Sequence, residues 1–93
     1  MDKQSQFNSV EYYFQRTVES LRIAGKSQRT AETYAREVRI MGRWLGKPLD
    51  QATSEDVRQF YLYRLIDKKL RDVSMRILIC GIRELFTTVL GKE

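Results

Sequence analysis

Apolar residues along the chain recur at intervals of three and four rather than at alternate positions, the spacing that gathers side chains on one side of a helix. Val10, Tyr13, Phe14, Thr17, Leu21 and Ala24 form a first set, and Ala31, Tyr34, Val38, Met41 and Leu45 a second. Val57, Phe60, Tyr61 and Leu65 form a third. Met75, Leu78, Ile79, Ile82, Leu85, Phe86 and Val89 form a fourth and broader one. Between the sets stand residues that stop and start helices. Asn8 or Ser9 can cap the first helix, and Gly25 can take the left-handed conformation that ends it. Ser27 caps the second, and Gly46, with Pro48 two residues on, closes it. Thr53 or Ser54 opens the third ahead of Glu55 and Asp56, whose charges suit the positive end of a helix dipole. The third helix runs to about Leu70 and, being apolar on more than one side, is central or contacted twice. The fourth starts at Ser74 and carries Gly81 inside it, a placement that a close helix crossing explains. The pattern predicts an all-α, compact four-helix bundle over residues 8–91, behind a flexible polar leader at 1–7.

Composition narrows what such a bundle can do. Ninety-three residues support one core and not two. The chain has no histidine and a single cysteine, Cys80, which excludes an internal disulfide, a histidine-ligated zinc and the Ser-His-Asp or Cys-His arrangements of nucleophilic catalysis. The reading is cofactor-free and without metal. No apolar run approaches a membrane span and no secretory signal opens the chain, so a cytoplasmic protein without a membrane partner is expected. Seventeen Lys and Arg against 12 Asp and Glu give a net charge of +5, which favours an anionic partner, with nucleic acid ahead of a membrane surface.

Several tempting motifs carry no chemistry. Gly25-Lys26-Ser27 resembles the end of a phosphate-binding loop, but Ser20 stands where the loop's first glycine belongs and a helix stands where a strand should precede it. Tyr12 and Tyr13 lack the cations and proton acceptor that would activate a phenol. Cys80, beside the core face of the fourth helix, reads as a small buried or half-buried residue, and Trp44 as a cover for the bundle.

The basic residues are arranged. Arg29, Arg36 and Arg43 lie seven apart on one edge of the second helix, with Arg39 adjacent, and Glu32 is placed to pair with Arg36. At the start of that helix Lys26, Ser27, Arg29, Thr30 and Thr33 bring cations, hydroxyls and unpaired amides together, the chemistry of a phosphate site. Arg71, Ser74 and Arg76 repeat the arrangement at the start of the fourth helix, and Arg83 lies seven residues beyond Arg76.

These residues also resemble a known pattern. Ser27-x-x-Thr30-x-x-x-Tyr34-x-x-x-Val38 followed by Trp44-Leu45-Gly46 is similar to the second helix of the amino-terminal domain of tyrosine recombinases, the phage integrases. Leu49, Thr53, Glu55-Asp56-Val57 and Phe60 resemble that family's third helix. Ser74-Met75-Arg76, with Ile79-Cys80-Gly81-Ile82-Arg83-Glu84-Leu85-Phe86, resembles its fourth. The resemblance covers residues 10–90 and implies a SAM-like core-binding domain that forms half of a clamp on recombination-site double-stranded DNA, its second and fourth helices facing the major groove. Carried over by position, Ser27, Thr30 and Ser74 fall near phosphate. Arg76 stands where the family often has asparagine, and Arg83 matches a frequent arginine.

The family's catalytic domain includes a His-x-x-Arg box that a chain without histidine cannot contain. The expectation is therefore a non-catalytic, monomeric DNA-binding domain with the catalytic domain absent, meeting other recombinase protomers in the full-length protein. A SAM-like protein–protein interaction module and a small helix-turn-helix regulator are the alternatives.

Overall fold

The second helix sits where its local chemistry puts it. In the computed structural model, which describes the backbone of residues 2–92 and side chains from Val10 to Lys92, α2 spans Gln28–Leu45. The Ser27 hydroxyl accepts a hydrogen bond from the Thr30 amide at its start, and Gly46 ends it at φ +76°. Ahead of it α1 spans Asp2–Ile23, and Gly25 at φ +102° turns the chain, with the Lys26 amide donating to the Leu21 carbonyl. The sequence places the start of this helix at Asn8 or Ser9. Instead, the backbone of residues 2–7, expected as a leader, is helical. No glycine or proline interrupts residues 2–9, so a helix nucleated downstream propagates back through them at little cost. Ala24, assigned to the first apolar set, falls in the turn and is exposed, while Val18 takes a place in the core.

A short 3-10 turn, Leu49–Gln51, leads to α3, Ser54–Leu62. Thr53 and Asp56 cap it reciprocally: the Asp56 amide donates to the Thr53 hydroxyl and the Thr53 amide to the Asp56 carboxylate. The helix does not reach Leu70. It widens into a π-helical turn over Tyr63–Asp67 and stops at Lys69, a left-handed residue at φ +54°, with the Lys68 amide on the Tyr63 carbonyl and the Leu70 amide on that of Arg64. The wider turn leaves Leu65, an expected core residue, 47% exposed.

The fourth helix, α4, spans Asp72–Arg83, two residues ahead of the expected start. Arg71 supplies the backbone cap, so Ser74 lies within the first turn. It too widens into a π-helical turn, Glu84–Val89, closed by Gly91 at φ +70°. Cys80 is exposed, contrary to expectation. Leu78, Gly81 and Ile82 face the interior, and at about 100° per residue Cys80 points away from the middle of that face.

The four helices and no strand, among the described residues, enclose one core. Phe14, Val18 and Leu21 from α1 meet Ala31, Ala35, Val38 and Met41 from α2. Leu49, Ala52, Phe60, Leu78, Ile82 and Leu85 complete it. A radius of gyration of 12.6 Å matches the roughly 12 Å of a single domain of this length. The crossing of α2 and α4 sets how the starts of these two helices sit relative to each other. A methyl group on Gly81 would overlap the Tyr34 carbonyl oxygen and stand 2.9 Å from its carbon, so the two backbones touch there. The close crossing expected from Gly81 is present, and α3 touches both helices.

Candidate nucleic-acid interface

The start of α2 combines cations, hydroxyls and an unopposed helix dipole. Its first turn contains no acidic residue. Lys26, Ser27 and Arg29 are exposed, and Thr30 and Thr33 half-exposed. Two of the hydroxyls are engaged locally, Ser27 donating to Thr30 Oγ1 at 3.0 Å and Thr33 to the Arg29 carbonyl at 2.9 Å. The Thr30 hydroxyl accepts the Ser27 bond and donates to no group among the described residues. The Lys26 ammonium lies 5.4 Å from the centre of the Tyr34 ring, which keeps this cation beside the α2–α4 crossing.

Arg29 and Arg36 line an open groove of about 410 Å³ between α1 and α2, with Phe14, Gln15, Glu32, Thr33 and Arg39. The arginines of this edge differ in what they can offer. Arg39 is bound within the protein, its Nε and Nη2 donating to the two Glu11 carboxylate oxygens at 2.7 and 2.8 Å. Its guanidinium also stacks 3.7 Å over the Phe14 ring. The hydrogen bond from Arg39, with its charge and that of Arg43, holds the Glu11 carboxyl below the usual carboxylate range. Arg29 and Arg36 have no ion-pair partner among the described residues, since Glu32 accepts from Gln28 at 2.8 Å rather than pairing with Arg36.

The start of α4 is differently equipped. Arg71, Ser74 and Arg76 are exposed there, but Asp72 occupies the first turn and sets a carboxylate against the positive end of the helix. The cations that precede it compensate. Lys68 and Lys69, both exposed, stand with Arg71 on the connection from α3. These two lysines precede the helix start instead of belonging to it, and the run Lys68-Lys69-Leu70-Arg71 is their signal in the sequence.

The crossing brings the two starts within bounds of each other. Arg29 lies five residues before Tyr34, and Arg76 five before Gly81. At 1.5 Å per residue and helix axes about 8–10 Å apart, the axes at these two positions are separated by no more than about 18 Å, and the backbones by no more than about 23 Å, at any crossing angle. Arg83 is elsewhere: two helical turns beyond Arg76, it borders a second hollow of about 210 Å³ with Ser54, Val57, Tyr61, Phe86 and Thr87. Burial raises the Tyr61 phenol there, an effect the Arg83 charge partly offsets. Burial also raises Tyr13, with Asp50 adding to the shift, the opposite of what a tyrosine nucleophile needs.

Comparison with known proteins places this bundle. A family model described as the phage integrase N-terminal SAM-like domain matches residues 8–93. The chain belongs to this family. It is also 32% identical over 79 residues, 85% of its length, to a Sinorhizobium fredii protein provisionally named integrase/recombinase y4qK. The chain spans about a quarter of that relative, 26% of its length. No solved structure matches at a significant level. The all-α SAM-like architecture is that of an integrase amino-terminal domain, and no helix among the described residues is long and apolar enough to cross a membrane.

Proposed function

We propose that the chain is the DNA-binding domain of a site-specific tyrosine recombinase, holding recombination-site duplex through the starts of α2 and α4 and acting in the cytoplasm on nucleoid DNA. The observation that carries this reading is the opening of α2: a helix start with no acid in its first turn, flanked by exposed Lys26, Arg29 and Arg36, the two arginines without ion pairs among the described residues. Free amides and guanidinium groups together are what a phosphodiester requires. Membership of the integrase family supports DNA as the source of those phosphates.

In this reading Lys26, Arg29, Thr30 and Arg36 track one strand, with Ser27 and Thr33 holding the local geometry through their hydrogen bonds. Lys68, Lys69, Arg71, Ser74 and Arg76 approach the other side of the groove. Arg83 stands at the far end of the α4 face, in contact with DNA only if the duplex extends past the crossing. The domain binds and positions. Strand cleavage belongs to catalytic residues elsewhere in a longer recombinase, and the isolated domain is a monomer at micromolar concentration.

A titration of the ¹⁵N-labelled chain with duplex DNA at two salt concentrations tests the reading. Shifts should concentrate at residues 26–36 and 68–76 and weaken steeply at the higher salt. Arg29→Ala and Arg76→Ala should each weaken binding with the helical content unchanged. Unaltered affinity in both variants would reject this surface.

A further inference from the structure

The connection that carries Lys68, Lys69 and Arg71 to the start of α4 is fixed by something other than its own residues. Lys69, which stops the preceding helical turn, stands at φ +54° with no glycine or proline between residues 49 and 80. A lysine rarely takes that conformation unaided. Leu65, Ile66, Asp67, Lys68 and Lys69 are all exposed, so their side chains do not pack the turn onto the bundle. Arg64 does. Its carbonyl accepts the Leu70 amide at 3.2 Å and closes the turn around the two lysines. Its guanidinium reaches back to α2, where Nη2 donates to Glu37 Oε2 at 3.1 Å in a buried ion pair. Tyr63, beside it, accepts the Lys68 amide on its carbonyl and stacks its ring on Trp44 of α2 at 5.8 Å.

We infer that Glu37 and Arg64 are positioning residues for the DNA surface, their ion pair holding Lys68 and Lys69 in register with the Arg29–Arg36 edge of α2. Both partners are placed for it. Glu37 directly follows Arg36 and lies three residues past Tyr34, so the anchor sits beside the cationic edge and near the α4 crossing. Arg64 stands four residues before Lys68. The pair is better suited to direction than to stability. Glu37 Oε1 and Arg64 Nε find no partner among the described residues, and the desolvation of two charges cancels most of their attraction. Apolar side chains of similar size would fill the same space, but they slide over one another. A guanidinium on a carboxylate fixes both distance and angle. Lys68 and Lys69 meet the phosphates, and Glu37 and Arg64 act only through them. The consequence for DNA rests on the function proposed above, whereas the anchoring itself does not.

Paired apolar substitutions separate position from stability. Glu37→Leu with Arg64→Leu should unfold at a urea midpoint near that of the parent, and Glu37→Met with Arg64→Met serves if the leucines do not fold. Hydrogen exchange without DNA reads the anchoring. In the double variant the Lys68 and Leu70 amides should exchange about tenfold faster or more, while those of Val38 and Met41 in α2 keep the parent's rates. Duplex binding across a salt series reads the consequence. Lys68→Ala with Lys69→Ala should lower the magnitude of the slope of log affinity against log salt by about two in the parent. In the double variant the same substitutions should lower it by about half that or less. Unchanged exchange at Lys68 and Leu70, or an equal loss of slope in both backgrounds, would overturn the inference. A parent slope indifferent to the two lysines would overturn it as well, with Arg29→Ala and Arg76→Ala still judging the rest of the DNA surface. If those two variants bind as the parent does, the DNA reading fails, and the exchange rates alone decide whether the pair anchors the connection.

Discussion

At Gly81 a hydrogen in place of a methyl group lets the α4 backbone lie against the Tyr34 carbonyl, and the relative placement of α2 and α4 depends on that contact. Gly42 is the instructive contrast. A methyl there would stand 2.8 and 2.9 Å from the Val10 Cγ atoms, the tips of a side chain on the first half of α1 rather than backbone. Side-chain tips can shift, whereas a carbonyl inside a helix cannot move without its hydrogen-bonded turn. Gly81→Ala should therefore cost about 3 kcal/mol or more and Gly42→Ala about 1 kcal/mol, read as the change in urea midpoint at constant slope. Equal costs would mean that the crossing relaxes as freely as the α1 contact. Of the two, only Gly81 is marked by its sequence, as a glycine interrupting a strongly apolar helix. Gly42 lies on an edge of α2 where nothing in the order of residues says that Val10 comes to meet it.

Elements differ in how well their limits can be read, and the difference is chemical. Ser27, Gly46 and Thr53 act on neighbours within four residues, so the start and end of α2 and the start of α3 are legible in the sequence. The end of α3 is not, because the left-handed residue that stops it is Lys69 and not a glycine, and the π-helical turn before it breaks the 3.6-residue period. The buried pair Glu37–Arg64 was equally hidden, since a charged residue on α2 gives no sign of a partner 27 positions away. That pair joins α2 to the π-helical turn at 3.1 Å, with only 10% and 14% of the two side chains exposed. Glu37 Oε1 and Arg64 Nε are buried without a partner among the described residues. Removing one charge strands the other, so Arg64→Leu alone should cost about 3 kcal/mol, while Glu37→Leu with Arg64→Leu should return to within about 1 kcal/mol of the parent. A double variant as unstable as the single one would show that the pair is net stabilising. At the α3 start the sign of the pH effect follows from the capping box. The Thr53 amide and then Lys47 hold the Asp56 carboxyl below its ordinary value of 3.8. Its contribution is complete above that value and is lost as pH falls through the lower folded value. Asp56→Asn should flatten the dependence of melting temperature on pH below about 4, leaving a residual slope from Glu11.

For the whole molecule, net charge and local contact make different predictions, and salt separates them. A chain of charge +5 is drawn to any polyanion, and loss of any cation weakens that attraction a little. A cation seated on a phosphate does more, because each neutralised phosphate releases counterions and contributes about −0.9 to the slope of log affinity against log salt. Arg29, without an ion pair among the described residues and at the acid-free start of α2, belongs to the second kind in the proposed interface. Arg58 is on α3, at neither helix start, and within 3.8 Å of Glu55, so it belongs to the first. Arg29→Ala should therefore reduce the magnitude of the slope by about one, and Arg58→Ala should leave the slope nearly unchanged while lowering affinity slightly at low salt. The two variants remove the same formal charge, so composition cannot explain a difference between them. Fluorescence anisotropy with one labelled duplex across a salt series measures both slopes. Equal slopes would mean that the domain meets DNA as a diffuse positive body, and the convergence of the α2 and α4 starts would then have no part in binding.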